Sequence, residues 1–317
     1  MGYIFMKEVF RLIRWHNLVI IALSMSFILF FVVSPILGTS ALLDGMSGIQ
    51  FSLLIISTIL ISVGGYIVND IFDINSDSIN KPGKNIVGSI IGVDYAYKIY
   101  WLTTISGVLM GLLLSYLVNQ INFGLIFLFS AGLLWFYSQK YQCQPIVGNL
   151  VISLLSAISF GIVWLFEFYA LSNNASVFVD VQTQFPLVTR IVLIYMGFAF
   201  IVSFLRETIK DIEDYKGDNR FGCQTFTVKY GISASRILAL ALSYLSLVLA
   251  ILVQYFFYNA DFFYTTSAFF IIDFLIIIII FKIHSATNKT SYSKLATFIK
   301  LLMLTGILSM VLFLLEF

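Results

Sequence analysis

Residues 65–84 read GYIVNDIFDINSDSINKPGK, and the reading of this stretch decides what kind of chain it belongs to. An apolar run arrives from the N-terminal side and ends in three carboxylates, Asp70, Asp73 and Asp77, spaced i, i+3, i+7. If the helix continues through them, they share one face, with Asn69 at its edge. The C-terminal end of a helix already carries partial negative charge, so three further anions there are unfavourable unless a cation neutralises them. A hard divalent metal suits oxygen ligands of this kind.

The same spacing returns in FLRETIKDIEDYKGDNRFG, residues 204–222, where Asp211, Asp214 and Asp218 again follow an apolar run. A single such cluster reads equally well as a solvated helix end. Two clusters with identical spacing argue for a shared task.

Both clusters sit in a chain built for lipid. Of its 317 residues 60% are hydrophobic and 11% charged, with a mean hydropathy of +0.99, well outside the composition of an ordinary globular domain. Runs long enough to cross a hydrocarbon core lie near residues 17–37, 51–72, 97–117, 121–138, 147–170, 188–209, 236–257, 262–283 and 296–315. Runs of about 20 apolar residues are helices, too long for barrel strands. The expected fold is therefore an all-α membrane protein of nine transmembrane helices, a single domain over residues 1–317. The first run is too long for a signal-peptide core and has no small-residue cleavage site, so it reads as an uncleaved span.

With nine spans, alternate loops fall on opposite sides. Only Arg190 of the 18 basic residues then lies apart from the others, and the positive-inside rule makes the basic face cytoplasmic. The N-terminus is expected inside, and the chain in a bacterial cytoplasmic membrane with its site facing the cytoplasm. Both Asp clusters end even-numbered spans, so they emerge on that same face and can converge. The polar stretches that carry them, 74–96 and 210–235, are expected to fold over the mouth of a cavity. The net charge of +2 gives no reason to invoke nucleic acid, and no obligatory protein partner is evident. Cys143 and Cys223 lack CxxC spacing or a histidine pair and read as isolated reduced thiols.

Six carboxylates around one mouth are tolerable only with divalent cations between them, magnesium being the natural choice, and the cations then attract an anion. Lys81, Lys84, Arg206, Lys210 and Arg220 add positive charge nearby, and a diphosphate is the anion that such a set holds. An EF-hand is excluded, because Ser78 stands where the loop needs Gly and Lys84 where it needs the bidentate Glu. No GxxxxGK[ST] loop is present, which removes the usual support for nucleotide hydrolysis.

At this point the residues resemble a known family. Asn69-Asp70-Ile71-Phe72-Asp73-Ile74-Asn75-Ser76-Asp77 is similar to the N-D-x-x-D-x-x-x-D signature of UbiA-type intramembrane prenyltransferases, and Asp211 to Asp218 resembles their second Asp-rich motif. Arg14 and Asn17 resemble the family's R-P-x-N, with Trp15 in place of proline. Asn80-Lys81-Pro82 follows the first motif, and Gly148-Asn149 opens span five. Within the family, Arg206 to Asp214, RETIKDIED, is most similar to the geranylgeranylglycerol-phosphate geranylgeranyltransferases. Two departures stand out: Lys84-Asn85 replaces the usual Arg-Pro, and Tyr137-Ser138-Gln139-Lys140-Tyr141-Gln142-Cys143 leaves only a displaced Lys140 for the family's Lys-Arg pair.

The resemblance implies nine helices around a central cavity open to lipid, with magnesium-bound prenyl diphosphate beneath the two motifs. It implies metal ligation by Asp70, Asp73, Asp77, Asp211, Asp214 and Asp218, with the outermost pair, Asp77 and Asp218, mattering less. Asp70, Asp73, Asp211 and Asp214 are then catalytic, as is Tyr137, which is placed to hydrogen-bond the departing oxygen. Asn17, Arg14, Asn69, Lys81, Lys140, Asn149, Arg206 and Lys210 are the implied substrate-binding residues. The reaction expected is transfer of a polyprenyl group, geranylgeranyl in the favoured case, from its diphosphate to a lipophilic membrane acceptor, with geranylgeranylglyceryl phosphate favoured. An aromatic quinone or haem precursor is the alternative acceptor. A cation-binding transporter is the alternative of another class, since transporters also carry intramembrane carboxylates. Glu167 near a span end is expected to snorkel, His16 to sit at headgroup level, and Asp273 in span eight to find a buried partner across the bundle.

Overall fold

The computed structural model describes residues 8–80 and 85–317. Lys81 and Lys84 lie outside the described residues. Among those described, nine helices are long and apolar enough to cross a membrane: Trp15–Leu37, Gly48–Phe72, Val93–Leu117, Ile121–Gln139, Val147–Ser172, Ala175–Arg220, Ile232–Asn259, Phe263–Ser285 and Lys289–Leu315. Each overlaps a span expected from hydropathy, with the helices of spans six and nine running well past the expected bounds, so the chain is an integral multi-pass membrane protein, all-helical through its spans. Outward-facing positions are large and apolar, among them Leu102, Ile237, Phe270 and Phe281, as lipid contact requires.

Spans two and three pack extensively, as do spans five and six, while span six also packs against seven and nine. Small residues allow the closest approach. Ser57 donates to the carbonyl of Gly107 at 2.7 Å, and a Cβ on Gly107 would come within 3.0 Å of the Ser57 carbonyl oxygen. Glycine and serine at such crossings are what apolar helices use in place of a hydrophobic driving force.

The span-six helix, Phe185–Arg220, has 36 residues. At 1.5 Å per residue it is about 54 Å long, against roughly 30 Å of hydrocarbon. Its last turns therefore project past the bilayer, still helical. This corrects the expectation of a polar linker starting at residue 210: the second Asp motif lies on the helix itself, and the chain turns only after Arg220. The first motif behaves differently. Span two ends at Phe72 with Asp73 as its C-cap at φ −91°, ψ 5°, and a short helix resumes over Ile74–Asn80, so the common face of the three carboxylates is bent at Asp73.

The cysteines are not reduced thiols. Cys143 and Cys223 form a disulfide with Cα atoms 4.6 Å apart. Lone spacing in sequence missed it because the partners lie 80 residues apart, one after span four and one just beyond span six, and are brought together by packing at the basic face.

Glu167 does not snorkel. It is 1% exposed and accepts the Met46 backbone N–H at 2.9 Å. A Cβ on Gly45 would stand 2.0 Å from its Oε1, so the loop before span two is folded directly onto the carboxylate. Asp273 accepts a hydrogen bond from Gln254, but this partner is half-buried and on the neighbouring span, not buried across the bundle.

Candidate active site

A cavity of about 310 Å³ opens beneath the two Asp motifs. Its deeper wall is apolar, with Phe127, Phe160, Phe198 and Phe269, and its upper wall carries Arg14, Asn17, Tyr66, Asn69, Tyr137, Arg206, Glu207, Lys210 and Lys300. Such a gradient from charged rim to apolar depth suits an amphiphile whose charged head stays at the rim.

The first motif is built by three elements. Arg14, which precedes span one in a left-handed conformation (φ 51°), donates to Asp70 at 2.7 Å and stacks over the Tyr66 ring at 4.9 Å. Burial opposes its charge, but Asp70 and Tyr66 outweigh that opposition, and its affinity for the proton rises above the ordinary arginine value. Asp73 is gripped by two amides. Asn69 donates to one carboxylate oxygen, Gln142 donates to the other at 2.9 Å, and Asn69 also donates to the Gln142 carbonyl oxygen at 3.1 Å. Gln142 adjoins Cys143, so the disulfide fixes the segment that delivers this amide.

The second motif meets the first through Asn80. Its side-chain oxygen accepts the Gly217 backbone N–H at 2.9 Å, its amide donates to Asp218 at 3.4 Å, and its carbonyl accepts from Lys289. Asp73 and Asp214 both lie within electrostatic reach of Asp218, so carboxylates of the two motifs do converge. Asn149, nearly buried at the start of span five, donates to Asp211 at 3.0 Å. Tyr137 stands among Glu207, Asp73 and Asp211, between the motifs.

Most residues singled out in the sequence thus meet at one mouth: Arg14, Asn17, Asn69, Asp70, Asp73, Tyr137, Asn149, Arg206, Lys210, Asp211, Asp214 and Asp218. Asp77 lies in the first turn of the short helix, half-buried. Lys140 does not join them; it is exposed and caps the end of span four, outside the cavity lining. Reasoning from sequence also passed over Glu207, Gln142 and Lys300. Glu207 pairs with Arg206, and its place four residues before Asp211 was a usable signal. Gln142 lies in a single 3-10 turn, Tyr141–Cys143, between spans four and five and offered none.

No three His, Cys, Asp or Glu side chains among the described residues close on one centre. Four of the acids are instead held by a guanidinium or an amide: Asp70, Asp73, Asp211 and Asp218. The donor set is nevertheless carboxylate and amide oxygen, the chemistry a hard cation takes.

A family model, the UbiA prenyltransferase family, matches residues 28–304. The chain belongs to that family. Its relatives include the digeranylgeranylglyceryl phosphate synthase of Saccharolobus solfataricus, 28% identical over 97% of this chain and 96% of the relative. That of Sulfurisphaera tokodaii is 28% identical over 91% and 93%. Among solved structures, one described as concerning digeranylgeranylglyceryl phosphate synthase in membranes superposes with a TM-score of 0.65 at 24% identity, covering 98% of this chain and 99% of that one. A UbiA homologue from Archaeoglobus fulgidus bound to GPP and Mg2+ gives 0.59 at 14% identity, covering 96% and 99%. These likenesses in structure establish the shared fold.

Proposed function

We propose that this UbiA-family protein transfers a geranylgeranyl group from its diphosphate to the free hydroxyl of geranylgeranylglyceryl phosphate, at a mouth facing the cytoplasm. The observation that carries the reading is the convergence of both Asp motifs, through Asn80 and Gly217, above an apolar cavity rimmed by Arg14, Arg206 and Lys210. Support for the acceptor comes from relatives named as synthases of the corresponding product, which match nearly end to end. Those relatives are archaeal, which favours an ether-lipid acceptor and counts against the bacterial setting expected from sequence.

The donor lies with its diphosphate at the mouth and its isoprenoid tail among the phenylalanines. Asp70, Asp73, Asp211, Asp214 and Asp218 would hold Mg2+, which when bound neutralises these acids and draws charge from the leaving diphosphate. Arg14 and Lys210 add fixed positive charge where negative charge develops, and a water-poor cavity strengthens that effect. The allylic C–O bond breaks, and its electron pair leaves with the diphosphate, whose bridging oxygen accepts a hydrogen bond from Tyr137. The acceptor hydroxyl then supplies the electron pair of the new C–O bond at the allylic carbon and loses its proton to the departing diphosphate. An alcohol is a poor nucleophile, so cation formation does most of the activation.

The test is to supply purified protein and Mg2+ with geranylgeranyl diphosphate and either geranylgeranylglyceryl phosphate or a panel of hydroxybenzoate and dihydroxynaphthoate acceptors, and to identify products by mass. Product from the ether lipid is expected. Transfer only to the aromatic panel would overturn the acceptor, and absence of diphosphate release with every acceptor would overturn the transferase reading.

A further inference from the structure

Lys300 sits inside span nine, four residues past the start of the apolar run near residue 296, or about 6 Å along the helix. An ammonium at that depth is expensive unless it has a task. Its Nζ donates to Asn17 Oδ1 at 3.0 Å and lines the same cavity as Arg206 and Lys210. Among the described residues, ion pairs join Arg11 to Glu8, Arg14 to Asp70 and Arg206 to Glu207, and none of these takes Lys300. The charges that act on it most strongly include Arg206, Lys210 and Arg14, with Glu207 opposing them. The Nε of Arg206 is buried without a hydrogen-bond partner, a donor that a protein normally satisfies.

We infer that Lys300, with the Arg206 guanidinium, forms a second anion site that binds the phosphomonoester of the acceptor lipid. This rests on the acceptor assigned above. Arg14 is committed to Asp70 beside the donor's diphosphate and Lys140 lies outside the cavity, whereas Arg206, although its Nη1 pairs with Glu207, keeps its Nε for a further acceptor. Lys300 and Arg206 lie deeper: Arg206 precedes Asp211 by five residues, about 7.5 Å along the helix. They therefore stand between the carboxylates and the apolar cavity. The chemistry of the acceptor demands such closeness. On a three-carbon glycerol with one ether and one phosphate, the remaining hydroxyl is at most two carbons from the phosphate, so whatever holds the phosphate must adjoin the reacting carbon. Asn17, one turn past Arg14 and bonded to Lys300, sets the spacing between the two anion sites.

The experiment compares wild-type protein, Lys300→Gln and Lys300→Arg in lipid nanodiscs with Mg2+, measuring KM for each substrate and direct binding of geranylgeranylglyceryl phosphate against its dephosphorylated glycerol ether. Lys300→Gln is expected to raise the acceptor KM at least tenfold with the donor KM within twofold, Lys300→Arg to recover most of the loss, and the preference for the phosphorylated lipid to vanish in the Gln variant. A raised donor KM with an unchanged acceptor KM would assign Lys300 to the diphosphate and overturn the inference, as would an unchanged preference. Should wild type form no ether product, the proposed function fails, and the binding arm still decides: phosphate-dependent binding lost in Lys300→Gln upholds the site, and binding indifferent to phosphate or to Lys300 rejects it. If Lys300→Gln does not fold, Lys300→Met takes its place under the same criteria.

Discussion

The side-chain oxygen of Asn80 accepts the backbone N–H of Gly217 at 2.9 Å, and a Cβ on Gly217 would stand 2.5 Å from the Asn80 carboxamide carbon. Two residues 137 apart in sequence thereby set the distance between the Asp motifs. Alanine at 217 should favour the helix by up to about 1 kcal/mol, yet it pushes Asn80 away. We expect Gly217→Ala to keep or raise thermal stability while lowering turnover by about 10–100-fold, the range seen when groups that orient metal ligands are lost. Asn80→Ala should lower turnover similarly. Normal turnover in both would show that the motifs keep their spacing without this bond.

The carboxylates themselves should matter more than their supports. Asp70→Ala, Asp73→Ala, Asp211→Ala and Asp214→Ala are expected to cost more than about a hundredfold in turnover, beyond the usual cost of removing a supporting group, with each variant still purifying as a monodisperse protein. Asp218 joins this group, because it receives the Asn80 amide and stands within reach of Asp73 and Asp214; Asp77 should be milder. Near-normal rates in any two of the first four would remove the metal-clamp reading.

Chelation tests the same acids from the other side. Carboxylates gathered by packing repel one another, and a bound divalent ion stabilises the folded state by mass action. EDTA should abolish transfer, Mg2+ should restore it, and the melting temperature should rise with added Mg2+ in wild type but not in Asp73→Ala. Full activity in EDTA would leave the acids without their proposed task.

How much of this was legible beforehand follows from what one-dimensional patterns encode. Spans are written locally in hydropathy, so the apolar stretch of all nine was located, and the i, i+3, i+7 acids announced the mouth. The end of span six was misplaced because hydropathy falls at Lys210 while the backbone stays helical to Arg220; the pattern reported the membrane boundary, not the helix boundary. Gln142 and the Cys143–Cys223 bond were invisible because each depends on which loops meet after packing. Lys300 was visible as an intramembrane lysine, but only the bundle shows it facing Asn17 and Arg206 instead of reaching toward headgroups.

The disulfide supplies the remaining prediction. Cys143 is bonded to Cys223, and the adjacent Gln142 holds both Asn69 and Asp73, so the crosslink anchors a turn that shapes the first motif. Disulfides are rare in reducing cytosols, with hyperthermophilic archaea a known exception, and a crosslink beside the first motif is expected to make activity depend on redox state. Reduction, or Cys143→Ser with Cys223→Ser, should lower the melting temperature by roughly 4–8 °C, as loss of a crosslink worth about 2–4 kcal/mol implies for a chain of this size. Turnover should fall with it, by about tenfold, as Gln142 loosens from Asp73. Gln142→Ala separates the two effects: it should reproduce the loss of turnover with the melting temperature nearly intact. If the double serine variant melts lower but turns over normally, the crosslink serves stability alone and Gln142 is held in place by its own hydrogen bonds.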